Sequence, residues 1–164
     1  MFEPRDYDTR IDQFRTREGI GRAEWAIAAD ISRSQLTKYR AGIAEPRAGH
    51  LARLVSAAAR ILGRAVRASE LYDLGEDEPL GHKTHDKPRA QNGVHYDSRL
   101  DSLMTRLGVG PAALAQAAQT SRMQIHSTRR GVPPLVSTIR RIVIAFRHMG
   151  YDVKASEIVD VGEE

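Results

Sequence analysis

Arg33, Ser34, Thr37 and Lys38 occupy positions i, i+1, i+4 and i+5 of a short polar segment, a spacing that gathers four side chains on one face of a helix. Their chemistry suits the edge of a base pair. An arginine can bond the O6 and N7 of guanine bidentately, and serine and threonine hydroxyls either donate or accept. Leu36 and Tyr39, at i and i+3, turn the other way, towards a core. No acidic residue occurs from Ile31 to Ala44, so nothing on that face repels phosphate. A basic helix face that meets only solvent has the same composition.

The flanking residues predict the elements that would carry this face. A first helix is expected over about residues 8–18, with Ile11, Phe14 and Arg15 turned inward, and Gly19 ends it. A second covers about 22–29, with Trp25, Ala26 and Ala29 on one face, where small alanines let another helix cross closely. Asp30 and Ile31 make a tight turn, and the Ser32 hydroxyl can cap the third helix, about 33–41, which stops at Gly42. Pro46 is expected in the first turn of a fourth helix, where its missing N–H is harmless. That helix would bury Leu51, Leu54, Val55, Ala58 and either Ile61 or Leu62. Ser69 is expected to cap a last turn containing Glu70, Leu71 and Leu74. Two short helices joined by a three- or four-residue turn, the second of them basic, describe a helix-turn-helix.

The chain contains this unit twice. Residues 7–21 recur as 96–110 at an offset of 89, and Ala23, Ala26, Ala29, Ser32, Arg33, Gln35 and Gly42 match Ala112, Ala115, Ala118, Ser121, Arg122, Gln124 and Gly131 at the same offset. Pro46 pairs with Pro134 at 88, and residues 68–76 match 155–163 at 87. Both one-residue slips fall where loops are expected, and loops tolerate them. The repeat predicts three segments: a first domain over residues 1–75, a flexible linker over 76–95, polar and rich in Pro and Gly, and a second domain over 96–164. Residues 1–75 carry 13 Lys and Arg against 10 Asp and Glu, residues 76–97 carry 3 against 5, and residues 98–164 carry 9 against 6. Two basic lobes flanking an acidic connector suit a polyanionic partner.

The stretch Gly-Arg-Ala-Glu-Trp-Ala-Ile-Ala-Ala-Asp-Ile-Ser-Arg-Ser-Gln-Leu-Thr-Lys-Tyr-Arg-Ala-Gly at 21–42, with Pro46 and the closing Ala-Ser-Glu-Leu-Tyr-Asp-Leu, resembles the Cro/phage-repressor (XRE) helix-turn-helix family. Both copies resemble it. The resemblance implies an all-α fold of two tandem five-helix, lambda-repressor-like domains. It assigns base reading to Arg33, Ser34, Thr37 and Lys38 in the first copy and to Arg122, Met123, His126 and Ser127 in the second. It assigns phosphate contacts to Arg22, Gln35 and Arg47, then to Gln124, Arg129 and Arg130.

Three departures from the family stand out. Asp30 and Gln119 replace the glycine usual in the turn; aspartate tolerates a left-handed backbone better than glutamine. Arg40 and Arg129 stand near the end of the third helix, where an acidic residue is common. They remove the acidic half of the family's buried ion pair there and add positive charge beside the DNA, so Arg40 joins Arg129 among the expected phosphate contacts. Pro111 replaces Arg22 in the second copy.

Composition excludes much else. The chain has no cysteine, which removes disulfides, Cys-ligated zinc and thiol catalysis, and a reducing cytoplasm, at the nucleoid, is the expected compartment. No apolar run approaches the roughly 18 residues a membrane span requires, and the opening Met-Phe-Glu-Pro-Arg-Asp has no apolar region of a secretory signal. His82, His85 and His95 read as solvated linker residues rather than metal ligands. No phosphate loop or nucleophile elbow is present, so neither enzymatic activity nor a cofactor or small-molecule ligand is expected.

The expected function is therefore sequence-specific binding of double-stranded DNA by a bacterial or phage transcriptional regulator, with two tethered heads on two related half-sites. A flexible linker of about 20 residues has an r.m.s. span of roughly 25 Å and would reach half-sites about 34–36 Å apart. The alternative is a DNA-binding adaptor whose second copy is a dimerisation or docking module for a toxin, RNA polymerase or a second copy of the chain.

Overall fold

A computed structural model describes residues 7–82 and 96–163. Every regular element among them is helical, and no helix among them is long and apolar enough to cross a membrane. The chain divides into two compact units. Unit one is residues 7–73 together with 161–163, and unit two is residues 74–82 and 96–160.

Unit one contains α1 (Arg10–Glu18), α2 (Arg22–Ala28), α3 (Arg33–Arg40), α4 (Ala48–Leu62) and α5 (Ala68–Leu71). Thr9 starts α1 by accepting the amide of Asp12, and Ser32 starts α3 by accepting that of Gln35 at 3.0 Å, each satisfying one of the free N–H groups of a first turn. The core is Ile11, Phe14, Trp25, Ala26, Leu36, Tyr39, Leu51, Leu54, Val55, Ala58 and Leu71. Trp25 is fully buried, and its indole N–H donates to the carbonyl of Leu54 at 3.0 Å, tying α2 to α4. Ile61 and Leu62 are only partly buried, and Ala57 takes the inward position instead.

Two expected starts differ. Pro46 lies one residue ahead of Arg47, the N-cap of α4, so its fixed backbone leads into the helix rather than forming its first turn. Ser69 is inside α5; the free amide at its start, on Arg67, is bonded by the Glu70 carboxylate at 3.0 Å. A carboxylate three residues in reaches this donor where a serine hydroxyl two residues in does not.

Unit two contains α6 (Arg99–Leu107), α7 (Pro111–Ala117), α8 (Arg122–Arg129) and α9 (Val136–His148), closed by a 3-10 turn at Ala155–Glu157 in place of the expected fifth helix. Ser98 and Ser121 cap α6 and α8 as Thr9 and Ser32 cap α1 and α3. Leu114, Ile125, Ile139, Ile142, Val143 and Phe146 are buried.

The boundaries also differ from the sequence reading. The expected linker begins at Glu76, yet residues 74–81 are built into unit two: Arg147 Nε donates to the carbonyl of Glu78 at 2.6 Å, and the Gly81 amide donates to the carbonyl of Arg147 at 2.7 Å. Residues 83–95 of the expected linker, with His85 and His95, lie outside the described residues.

Candidate nucleic-acid interface

The turn between α2 and α3 holds the candidate face in place. Ile31 N–H donates to the carbonyl of Ala26 at 3.0 Å and Asp30 N–H to that of Ile27 at 3.1 Å, the paired bonds that close a helix when the next residue is left-handed. That residue is Asp30, at φ 54°, and Gln119 at φ 51° does the same after α7, with matching bonds from Thr120 to Ala115 and from Gln119 to Gln116. Both lack the glycine that adopts this conformation freely, and both adopt it nonetheless. Two arginines of α4 brace the first turn: Arg60 Nη2 donates to the carbonyl of Ala28 at 2.7 Å and Arg53 Nη1 to that of Asp30 at 3.3 Å.

With Leu36 and Tyr39 buried, the other face of α3 points outward, and Arg33, Ser34, Thr37 and Lys38 are all exposed. The Thr37 hydroxyl donates to the carbonyl of Arg33 at 2.9 Å, which leaves its oxygen open as an acceptor. On α8, Arg122, Met123 and His126 are exposed and Ser127 is half-buried. Among the described residues, the charged ends of Arg33, Lys38, Arg122 and Arg130 form no hydrogen bond or ion pair. Arg33 and Arg122 open their helices, where the backbone dipole is itself positive, and a cation without a partner there is disposed to meet an anion.

The expected phosphate contacts divide. Arg47 is exposed at the end of the loop after α3, Arg130 is exposed at the C-cap of α8, and Arg22 is half-buried at the start of α2. Gln35 is half-buried, and Gln124 is exposed with its amide oxygen accepting the Thr120 hydroxyl. Arg40 and Arg129 are corrected. Both are buried, at 2% and 6% exposure, and both are bound to aspartates of the first helix of their unit. Arg40 Nε meets Asp12 at 2.5 Å; Arg129 reaches Asp101 through Nε at 2.8 Å and Nη2 at 2.7 Å. Each guanidinium also lies over a tyrosine ring, Tyr7 at 5.4 Å and Tyr96 at 5.3 Å. They fix α3 and α8 to α1 and α6, and do not reach the surface. A buried ion pair is present after all, with its acid on the first helix of the unit.

The carboxylates of these pairs are held by more than arginine. Asp12 accepts the Tyr7 amide at 2.6 Å and Asp101 accepts that of Tyr96 at 2.9 Å. Burial alone would raise the Asp12 carboxyl, but Arg40, the Tyr7 amide and Arg15 together hold it below its ordinary value. The sequence carried this signal without a role attached: tyrosine and aspartate recur five residues apart in both copies.

A second signal lies in unit two. No acidic residue occurs between Asp101 and Asp152, a stretch holding most of α6 and all of α7, α8 and α9, with seven arginines. None of the family models, curated proteins or solved structures compared matches the chain. Among the described residues, no group of three His, Asp or Glu is placed to hold a metal ion.

Proposed function

We propose that this chain binds double-stranded DNA sequence-specifically through two helix-turn-helix heads, with α3 and α8 as the recognition helices, and regulates transcription. The observation that carries this reading is the exposed arginine at the start of each of those helices, whose charged end bonds to none of the described residues. Arg33 and Arg122 stand at equivalent positions, presented by equivalent capped turns, while the arginines seven residues later are taken up in buried pairs. Cations on the same two helices are thus sorted into structural and available ones. An arginine at the start of a recognition helix has the reach and geometry to read guanine.

The neighbours of the two arginines differ: Ser34 corresponds to Met123, Thr37 to His126, and Lys38 to Ser127 in the repeat. The heads therefore favour related half-sites that share one base and differ at others. Selection from a random duplex library, followed by footprinting, tests this. The expected result is an enriched site with two non-identical halves, each containing a common G·C pair. Recovery of no enriched sequence at low salt would sink the proposal.

One observation favours a second reading. Met123 is 72% exposed at a reader position and cannot make a bidentate bond, and Pro111 replaces the half-buried Arg22 of unit one. An exposed apolar side chain at that place suits a protein surface. Under that reading unit two recruits a toxin, RNA polymerase or another copy of the chain, and the footprint covers a single half-site.

A further inference from the structure

Leu74, Gly75 and Glu76 close the first copy of the repeat, and Val161, Gly162 and Glu163 close the second. Each triplet is part of the unit built from the other copy. Within unit one, Glu163 Oε1 accepts the backbone amide of Ala68 at 2.7 Å; within unit two, Glu76 Oε1 accepts that of Ala155 at 2.9 Å. Ala68 and Ala155 are equivalent in the repeat, and so are the two glutamates.

The glycines follow the same pattern. Gly162 has φ 78°, and a Cβ there would lie 2.3 Å from the carbonyl oxygen of Ala52 on α4. Gly75 has φ 74°, and a Cβ there would lie 3.1 Å from the carbonyl oxygen of Arg140 on α9 and 2.6 Å from Ile144. Ala52 and Arg140 are again equivalent, at the offset of 88 that relates Pro46 to Pro134. Both glycines are required twice over, by their left-handed backbone and by the close approach of a helix. The apolar residue ahead of each, Leu74 or Val161, is at most 1% exposed.

We infer that each unit carries a slot specific for an apolar–Gly–Glu segment, and that the two copies exchange these segments so that each is completed by the other. The slot has three parts: a small apolar recess, a helix surface that crowds any Cβ (the Ala52 carbonyl in unit one, the Ile144 side chain and the Arg140 carbonyl in unit two), and a backbone amide that selects a carboxylate. The occupant of the slot on unit one is Val161–Glu163, supplied by the second copy, although the first copy carries a segment of the same chemistry.

The single tryptophan makes the exchange testable in the full chain, because Trp25 reports unit one alone. Glu163→Gln should speed amide exchange at Ala68 at least tenfold and leave Ala155 unchanged; Glu76→Gln should do the reverse. Gly162→Ala should lower the urea midpoint read by Trp25 fluorescence, although it alters the second copy. A crossed pattern of exchange rates supports the inference even where the units unfold together. Glu163→Gln acting on Ala155, or on neither amide, overturns it, as does a Trp25 midpoint unmoved by Gly162→Ala.

Discussion

Asp12 and Arg40 meet at 2.5 Å in the interior of unit one, 28 residues apart in the chain and almost wholly withdrawn from water. Breaking such a pair from one side strands a charge inside the protein, a loss of about 3–5 kcal/mol. Asp12→Asn is therefore expected to destabilise unit one by that order, read as urea unfolding by Trp25 fluorescence. A change below about 1 kcal/mol would show that the pair adds little to stability.

The same carboxylate gives unit one a dependence on acid. Its value in the folded chain lies below the ordinary one of about 3.9. A depressed carboxylate stabilises fully above its unfolded value, and the contribution is lost as pH falls through the folded value. Glu70 acts in the same direction: burial would raise it, but Arg64 and the Arg67 amide hold it down. The Trp25 unfolding midpoint should thus fall on acidification below about pH 4, and should fall less steeply in Asp12→Asn. Parallel pH profiles for the two proteins would contradict the assignment.

Arg33 and Arg40 lie on one helix and should behave oppositely. Arg33→Ala is expected to leave the unfolding midpoint unchanged and to weaken binding to a selected duplex by about 1–3 kcal/mol, roughly ten- to a hundredfold. Arg40→Ala should lower the midpoint instead, while binding by the remaining folded protein keeps its salt slope. Titration by gel shift at two salt concentrations separates the cases, since each lost phosphate contact reduces that slope by about one.

Replacing the left-handed residue of each turn by glycine should stabilise. Gln119→Gly removes a backbone penalty of about 1–2 kcal/mol, offset in part by the greater freedom of glycine in the unfolded chain, so a net gain of about 0.5–1 kcal/mol is expected. Asp30→Gly should gain less, because a short polar side chain tolerates this conformation and Asp30 lies 3.9 Å from Arg53. Thermal melts of the two variants check the order.

Much of this architecture is legible in the sequence because it is written locally. Ser32 and Ser121 announce the starts of α3 and α8 through bonds to residues three positions on, and Gly19 and Gly108 end α1 and α6. The burial of Leu36 and Tyr39 follows from their spacing. Arg40 is misread from sequence because nothing near it reveals that Asp12 will be its partner; helix spacing gives a direction, and only the packing of α1 on α3 gives the carboxylate. The exchange of closing segments is invisible for another reason. Residues 68–76 and 155–163 match each other, so the repeat reads the same whether each segment completes its own copy or the other.

That exchange also has a consequence in time. Val161 is synthesised 88 residues after Asp73, an interval of roughly 4–18 s at about 5–20 residues per second. Throughout it the first copy has its helices but lacks the three residues that close it, of which Val161 belongs to the core, and an open groove faces whatever nascent chain is nearby. Crowded translation of one message would then favour segments traded between neighbouring chains, and slow, dilute expression should give the cleaner monomer.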